Sequence, residues 1–241
     1  MSTADTSIKR LQAFRDEMAK AGVKAAIVPR TDPHLSEYIS DHWHTVRYLT
    51  GFTGSAGTLV VTDCGAYLWV VSRYFLQGET QTRGAGIELM KEGIPGVPTV
   101  SRFLCDTLAK GDTVGINGML MSADDTAVLR SQLGRHGIGL DVNFDPIDRV
   151  WADRPALPDG PVFVHDVKYA GKSASDKLAE LRRDTAECGA DAYYLGSRRD
   201  CLGAQYTFDR RALQPRGHIV SLRFGRQRAS LYRQCETHPR G

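Results

Sequence analysis

Residues 57–83, GTLVVTDCGAYLWVVSRYFLQGETQTR, decide the fold. Two runs rich in β-branched and aromatic side chains, 57–62 and 66–71, flank a short Asp63-Cys64-Gly65 turn, which predicts a β-hairpin. Such side chains suit a pleated, half-buried surface. Residues 72–83 follow as a helix. Upstream, Ile8, Leu11, Phe14, Met18 and Ala21 recur at helical spacing until Gly22 stops the helix. Residues 25–29 (AAIVP) then read as a short buried strand, and 41–50 as a helix. Downstream lie a strand at 87–91, a helix at 100–109 and a strand at 113–117. The next helix starts at the cap residue Ser122, carries Asp125 in its first turn and ends at Gly137. A strand at 139–144 closes the series. Strands alternating with helices predict an α/β domain over residues 1–146, with a mixed sheet flanked by helices.

A linker is expected at 147–161, where Pro155, Pro158 and Pro161 stiffen the chain. A second unit starts at 162. It should hold a strand near 162–164, a helix over 174–188 capped by Ser173 or Ser175 and stopped by Gly189, and a strand at 190–195. Only 36 residues separate its start from a change of character after Ser197, too few for an independent core. The second α/β domain, 162–197, is therefore expected to be incomplete.

Charge locates that change. Residues 1–197 carry 21 Lys+Arg against 25 Asp+Glu, whereas 198–241 carry 10 Arg, no Lys and 3 acids. The basic excess lies wholly in the tail, so it says little about the partners of the folded part. The tail has no Lys, no aromatic rhythm and no motif, which weighs against a nucleic-acid partner. It shows no trustworthy helix or strand periodicity either. Five scattered cysteines, Cys64, Cys105, Cys188, Cys201 and Cys235, contain no CxxC spacing and signal neither a disulfide framework nor a zinc site. With no apolar segment of signal-peptide or membrane-span character, the expectation is a cytoplasmic protein without a membrane partner.

Several residues invite chemistry. His42-Trp43-His44 offers a metal pair, but on a helix positions i and i+2 face apart. Structural histidines are the expectation. The Gly51–Gly57 loop, GFTGSAG, offers a phosphate cradle, but it leads into a strand and lacks a P-loop ending. A close-packed turn is expected. Ser55 lacks the G-x-S-x-G elbow of a nucleophile. Asp63, Asp124, Asp125 and Asp184 are expected at turns and caps. No catalytic, cofactor-binding or metal-ligating residue is assigned.

Residues 36–77, with VWADRPALP at 150–158 and FVHDVKYAGKSASDKLAEL at 163–181, resemble the N-terminal region of aminopeptidase P, the Xaa-Pro aminopeptidases. The resemblance runs from about Ile8 to Gly196, and YLTGFTGSAGT, SRYFLQ and the linker carry it. It implies a creatinase N-terminal-like fold and a family reaction that releases the N-terminal residue preceding proline. It also implies a separate catalytic domain with two metal ions, commonly manganese, on two Asp, one His and two Glu. None of those motifs occurs here, so the chain reads as a non-catalytic N-terminal fragment, truncated before the catalytic domain. Proline-containing peptides are implied for the full-length enzyme, and a homodimer through the N-terminal domains is the partner nearest this chain. The alternative is a non-catalytic interaction or dimerisation module of the same fold. One departure stands out: the family pattern W-x-D-x-R-Y has Val71 where the acid belongs, which removes any hydrogen bond that acid makes at the strand-to-helix junction.

The tail fits a shifted reading frame. Arg has GC-rich codons and Lys has none. Read one base out of frame with free codon choice, residues 198–241 decode to stretches such as LDEIAWALNIR and CNPVVISYA. These resemble the continuation of the second domain. The tail is thus expected to be frameshifted and non-native.

Overall fold

Helix α1 (Thr3–Ala21) buries Ser7, Leu11, Phe14 and Met18 along one stripe. At 100° per residue that stripe centres on Ser7 rather than Ile8, and Ile8 is left 47% exposed, outside the face expected for it. Gly22 (φ +68°) ends the helix in the left-handed region. The Gly22 amide donates to Ala19 and the Val23 amide to Met18, the paired bonds of a Schellman stop.

In this computed structural model the described residues are 3–160, 163–189, 192–195, 206–207, 220–223 and 231–233. The chain divides into two compact units, Met1–Ala156 and Leu157–Gly241. The first contains β1 (Ala25–Pro29), α2 (Thr45–Thr50), β2 (Thr58–Thr62), β3 (Ala66–Val70), α3 (Phe75–Gln81) and β4 (Ile87–Lys91). These are followed by α4 (Val100–Thr107), β5 (Thr113–Ile116), α5 (Ala123–Gly134), β6 (Gly139–Asp141) and α6 (Ile147–Val150). Short 3-10 turns at Asp41–Trp43, Ser72–Tyr74 and Gly118–Leu120 precede α2, α3 and α5.

The six strands form one sheet in the order β4-β3-β2-β1-β5-β6. β1–β2 and β2–β3 are antiparallel, while β3–β4, β1–β5 and β5–β6 are parallel, so the sheet is mixed. Period-two alternation sends each strand's residues to opposite faces. Ala26, Val28, Leu59, Val61 and Leu68 meet the α1 and α2 side. Ala25, Ile27, Val60, Trp69, Val114 and Ile116 meet Leu104 of α4 and Leu129 and Leu133 of α5. Both faces are covered, which explains the unbroken burial of β1. Trp69, 1% exposed, donates Nε1–H to the Pro98 carbonyl at 2.8 Å and so ties the approach to α4 to the sheet.

The hairpin turn closes as the sequence implies: the Thr62 amide donates to Gly65 O, and the Gly65 amide to Thr62 Oγ1, each at 2.9 Å. Ser122 caps α5 by accepting from the Asp125 amide at 3.0 Å. β6 is shorter than 139–144, because Val142 O instead accepts from the Gly118 amide at 2.8 Å. Residues 147–156 of the expected linker lie inside the first unit, and α6 is an element that the proline count hid.

The second unit holds β7 (Phe163–Val164), α7 (Val167–Ala170), α8 (Ala174–Glu187) and β8 (Ala192–Leu195), then β9 (Tyr206–Thr207), β10 (Val220–Arg223) and β11 (Leu231–Arg233). Ser173, rather than Ser175, caps α8 through the Asp176 amide at 3.1 Å. β7 pairs with β9, and β8 with β10 and then β11, all antiparallel. The tail shows no trustworthy strand periodicity in sequence, yet β9, β10 and β11 lie in it. Val220 and Leu222 alternate with polar residues there, a pattern too brief to read from sequence. The break at Ser197 lies outside the described residues, as do Cys201 and Cys235. Cys64, Cys105 and Cys188 are free thiols. Among the described residues no helix is long and apolar enough to cross a membrane.

Candidate functional site

The residues singled out for chemistry do not converge. His42 lies in the Asp41–Trp43 turn, and His44, at φ −76° and ψ 42°, breaks that turn from α2. The two rings part. His42 Nδ1 bonds the Pro155 carbonyl at 2.7 Å, so it carries the proton, and His44 Nε2 lies 3.8 Å from Asp41. Burial is the main force holding both imidazoles below their ordinary pKa. For His42 the Pro155 hydrogen bond opposes it and the Arg154 charge reinforces it, while for His44 the Arg30 charge adds to it. Both are therefore neutral near pH 7.

The glycine-rich loop is a packing device. Gly51 (φ +76°) closes α2 in the left-handed region. A Cβ on Gly54 would stand 2.2 Å from the Phe52 ring. Ser55 Oγ bonds Tyr74 Oη at 2.6 Å, and that bond, first among its surroundings, holds the Tyr74 phenol below its ordinary pKa. Arg30 Nη1 donates to the Ser55 and Glu37 carbonyls, joining the 31–40 segment to this loop. Asp63 occupies the hairpin turn, where its carboxylate lies 3.9 Å from Lys24 Nζ. Asp124 and Asp125 occupy the first turn of α5. Asp184 sits within α8 and not at a cap. Among the described residues no three His, Cys, Asp or Glu side chains are grouped to hold a metal ion.

A cluster of polar and aromatic side chains forms the seat of residues 148–155, where the chain leaves the first unit. Tyr48 Oη donates to Val150 O at 2.8 Å. Its ring stacks on Trp151 at 4.3 Å and 12°, and Arg10 Cζ sits 3.9 Å from the same ring while Nη1 donates to Tyr48 O. Arg149 pairs with Glu17 of α1. Lys20 first and then Arg149, through hydrogen bonds, hold that carboxylate below its usual range. Arg154 donates Nε–H to His42 O at 2.9 Å and Nη1–H to Asp148 Oδ1 at 2.6 Å. Val71 begins the Ser72–Tyr74 turn with no side-chain cap. Sequence reasoning missed Tyr48, Trp151 and Arg154. The usable signal was the aromatic and arginine content of VWADRP beside the HWH segment.

Residues 10–150 match the creatinase/prolidase N-terminal domain, and residues 153–201 match a second domain of the same description. The chain belongs to the creatinase/prolidase N-terminal domain family. Aminopeptidase P2 of Arabidopsis thaliana is 42% identical over 177 residues, covering 72% of this chain and 25% of its own length. A probable Xaa-Pro aminopeptidase P of Coprinopsis cinerea is 40% identical over 195 residues, 80% of this chain and 31% of its own. The X-prolyl aminopeptidase of Caenorhabditis elegans, described as a cytosolic enzyme with a di-nuclear active site, superposes with a TM-score of 0.72. It is 31% identical across 86% of this chain and 35% of that one. The chain thus spans between 25% and 35% of the length of these three relatives. The described residues of this family member offer no donor set for a di-nuclear centre.

Proposed function

We propose that this chain is the non-catalytic N-terminal portion of a metal-dependent Xaa-Pro aminopeptidase acting in the cytoplasm on peptides with proline in second position. The observation that carries the reading is coverage: the likeness to the worm enzyme takes in 86% of this chain but 35% of that one. Two consecutive N-terminal-type domains, 1–146 and an incomplete one from 162, joined by the proline-rich stretch, are supported by adjoining family matches at 10–150 and 153–201. The second match stops four residues past Ser197, in keeping with a frameshifted tail over 198–241. On this reading the two metal ions belong to a catalytic domain that the sequence does not include, and no residue here binds them.

The test is turnover. The purified 241-residue chain, supplied with manganese and an Xaa-Pro-containing peptide, should release no N-terminal amino acid. Release that disappears with a chelator would overturn the reading. Resequencing the gene across the Ser197 codon checks the tail: an inserted or missing base followed by an open frame with metal-ligand motifs is the expected result. A second reading is a non-catalytic interaction or dimerisation module of the same fold; the two well-covered sheet faces are compatible with a first unit that stands without a catalytic partner. Sedimentation of the chain as a discrete dimer would select it.

A further inference from the structure

A cavity of about 20 Å³ lies inside the first unit, beside β1 and the start of α6. Most of its wall is apolar, including Phe14, Ile27 and Phe144, but the Trp43 and Arg154 side chains also reach it. Trp43 Nε1 and Arg154 Nη2 are buried donors that no protein acceptor meets. The Arg154 side chain is 7% exposed, and its Nε and Nη1 are already committed to His42 O and Asp148. Both residues line the cavity, and Arg154 Cζ stands 5.2 Å from the Trp43 ring centroid, so the two unmet donors belong to neighbouring side chains.

A buried N–H without an acceptor bears its full desolvation penalty, more so on a cation, and native interiors meet such groups with protein atoms or ordered water. One water needs roughly 10–15 Å³ of such space and two to four polar partners. This cavity meets the size for one water and for nothing larger. Its lining also includes the half-buried Asn117 and the exposed Asp145, whose oxygens are acceptors. Asn117 Oδ1 takes the Met119 amide and keeps a second lone pair, and the Asp145 carboxylate, bonded by Asn117 Nδ2 and the Ile147 amide, keeps others. A halide would satisfy the two donors but would share its site with Asp145 among the lining residues. We infer that the cavity is a binding site for one ordered water, which accepts from Trp43 Nε1 and Arg154 Nη2 and donates to the Asn117–Asp145 side. The water completes the seat of residues 148–155.

The 241-residue chain has three tryptophans, and Trp69 is the internal control, because its Nε1 already donates to Pro98. In water–protein NOE spectra the Trp43 indole proton should show a cross-peak of the sign given by a long-lived bound water, and Trp69 should not. A protected Trp43 indole without that cross-peak overturns the inference. Crystals of the same chain grown in bromide give a second readout. One water peak within hydrogen-bonding distance of both donors supports the site, and an anomalous bromide peak there overturns it.

Discussion

At the residue scale, Val71 is the most telling side chain. Its backbone, φ −76° and ψ 162°, already has the extended conformation of a helix N-cap, but its isopropyl group cannot accept from the amides that follow. Val71→Asp should therefore stabilise the protein by about 1 kcal/mol, read as a higher denaturant midpoint at unchanged slope. His42 and His44 give the opposite kind of lever. Because burial lowers both folded-state pKa values, the unfolded chain takes up protons first as the pH falls. Their contribution to stability is complete above the unfolded value of about 6.5 and is lost on acidification towards the folded values. A chain with His42→Gln and His44→Gln should lose less stability than wild type between about pH 7 and pH 5, measured by urea unfolding at each pH. An unchanged slope would mean that neither imidazole is held neutral by its surroundings.

Among the elements, β3 carries the largest single anchor. Trp69 fills the layer beneath α4 and fixes the Pro98 carbonyl, so Trp69→Ala should cost about 3–5 kcal/mol by chemical denaturation. That strand was legible in the sequence, as were the hairpin, the Gly22 stop and the Ser122 cap, because each is written in neighbouring residues. The seat of residues 148–155 was not. His42 meets Pro155 across 113 positions and Tyr48 meets Val150 across 102, and no local periodicity encodes a contact of that span. The same limit explains Ile8: apolar spacing marked the helix correctly, but the packing of the sheet chose which edge of the stripe faced inwards. The strands of the tail escaped notice because each is two to four residues long and acquires its meaning from a partner strand.

For the whole molecule, the two units differ in how their exposed apolar side chains are spaced: the first exposes Tyr38, Leu76 and Met119, far apart in sequence, whereas those of the second fall within six residues. The first has two clusters on the faces of one sheet. The second leaves Val164, Val167 and Tyr169 at 74%, 48% and 70% exposure, which favours self-association. A chain ending at Ala156 should unfold in one cooperative step and stay monomeric, while the 241-residue chain should scatter light increasingly with concentration. Equal scattering from both would place the sticky surface in the first unit. The strand order has a further consequence, during synthesis. β1 sits mid-sheet, with β2 on one side and β5 on the other. The β1–β4 half is complete once Lys91 has emerged, but β5 starts 22 residues later, at Thr113 (113 − 91). At ribosomal rates of roughly 5–20 residues per second, the nascent chain carries a bare β1 edge for about one to four seconds. A run of slow codons between 92 and 113 would lengthen the interval in which a chaperone, or a neighbouring polysome's product, can reach it first.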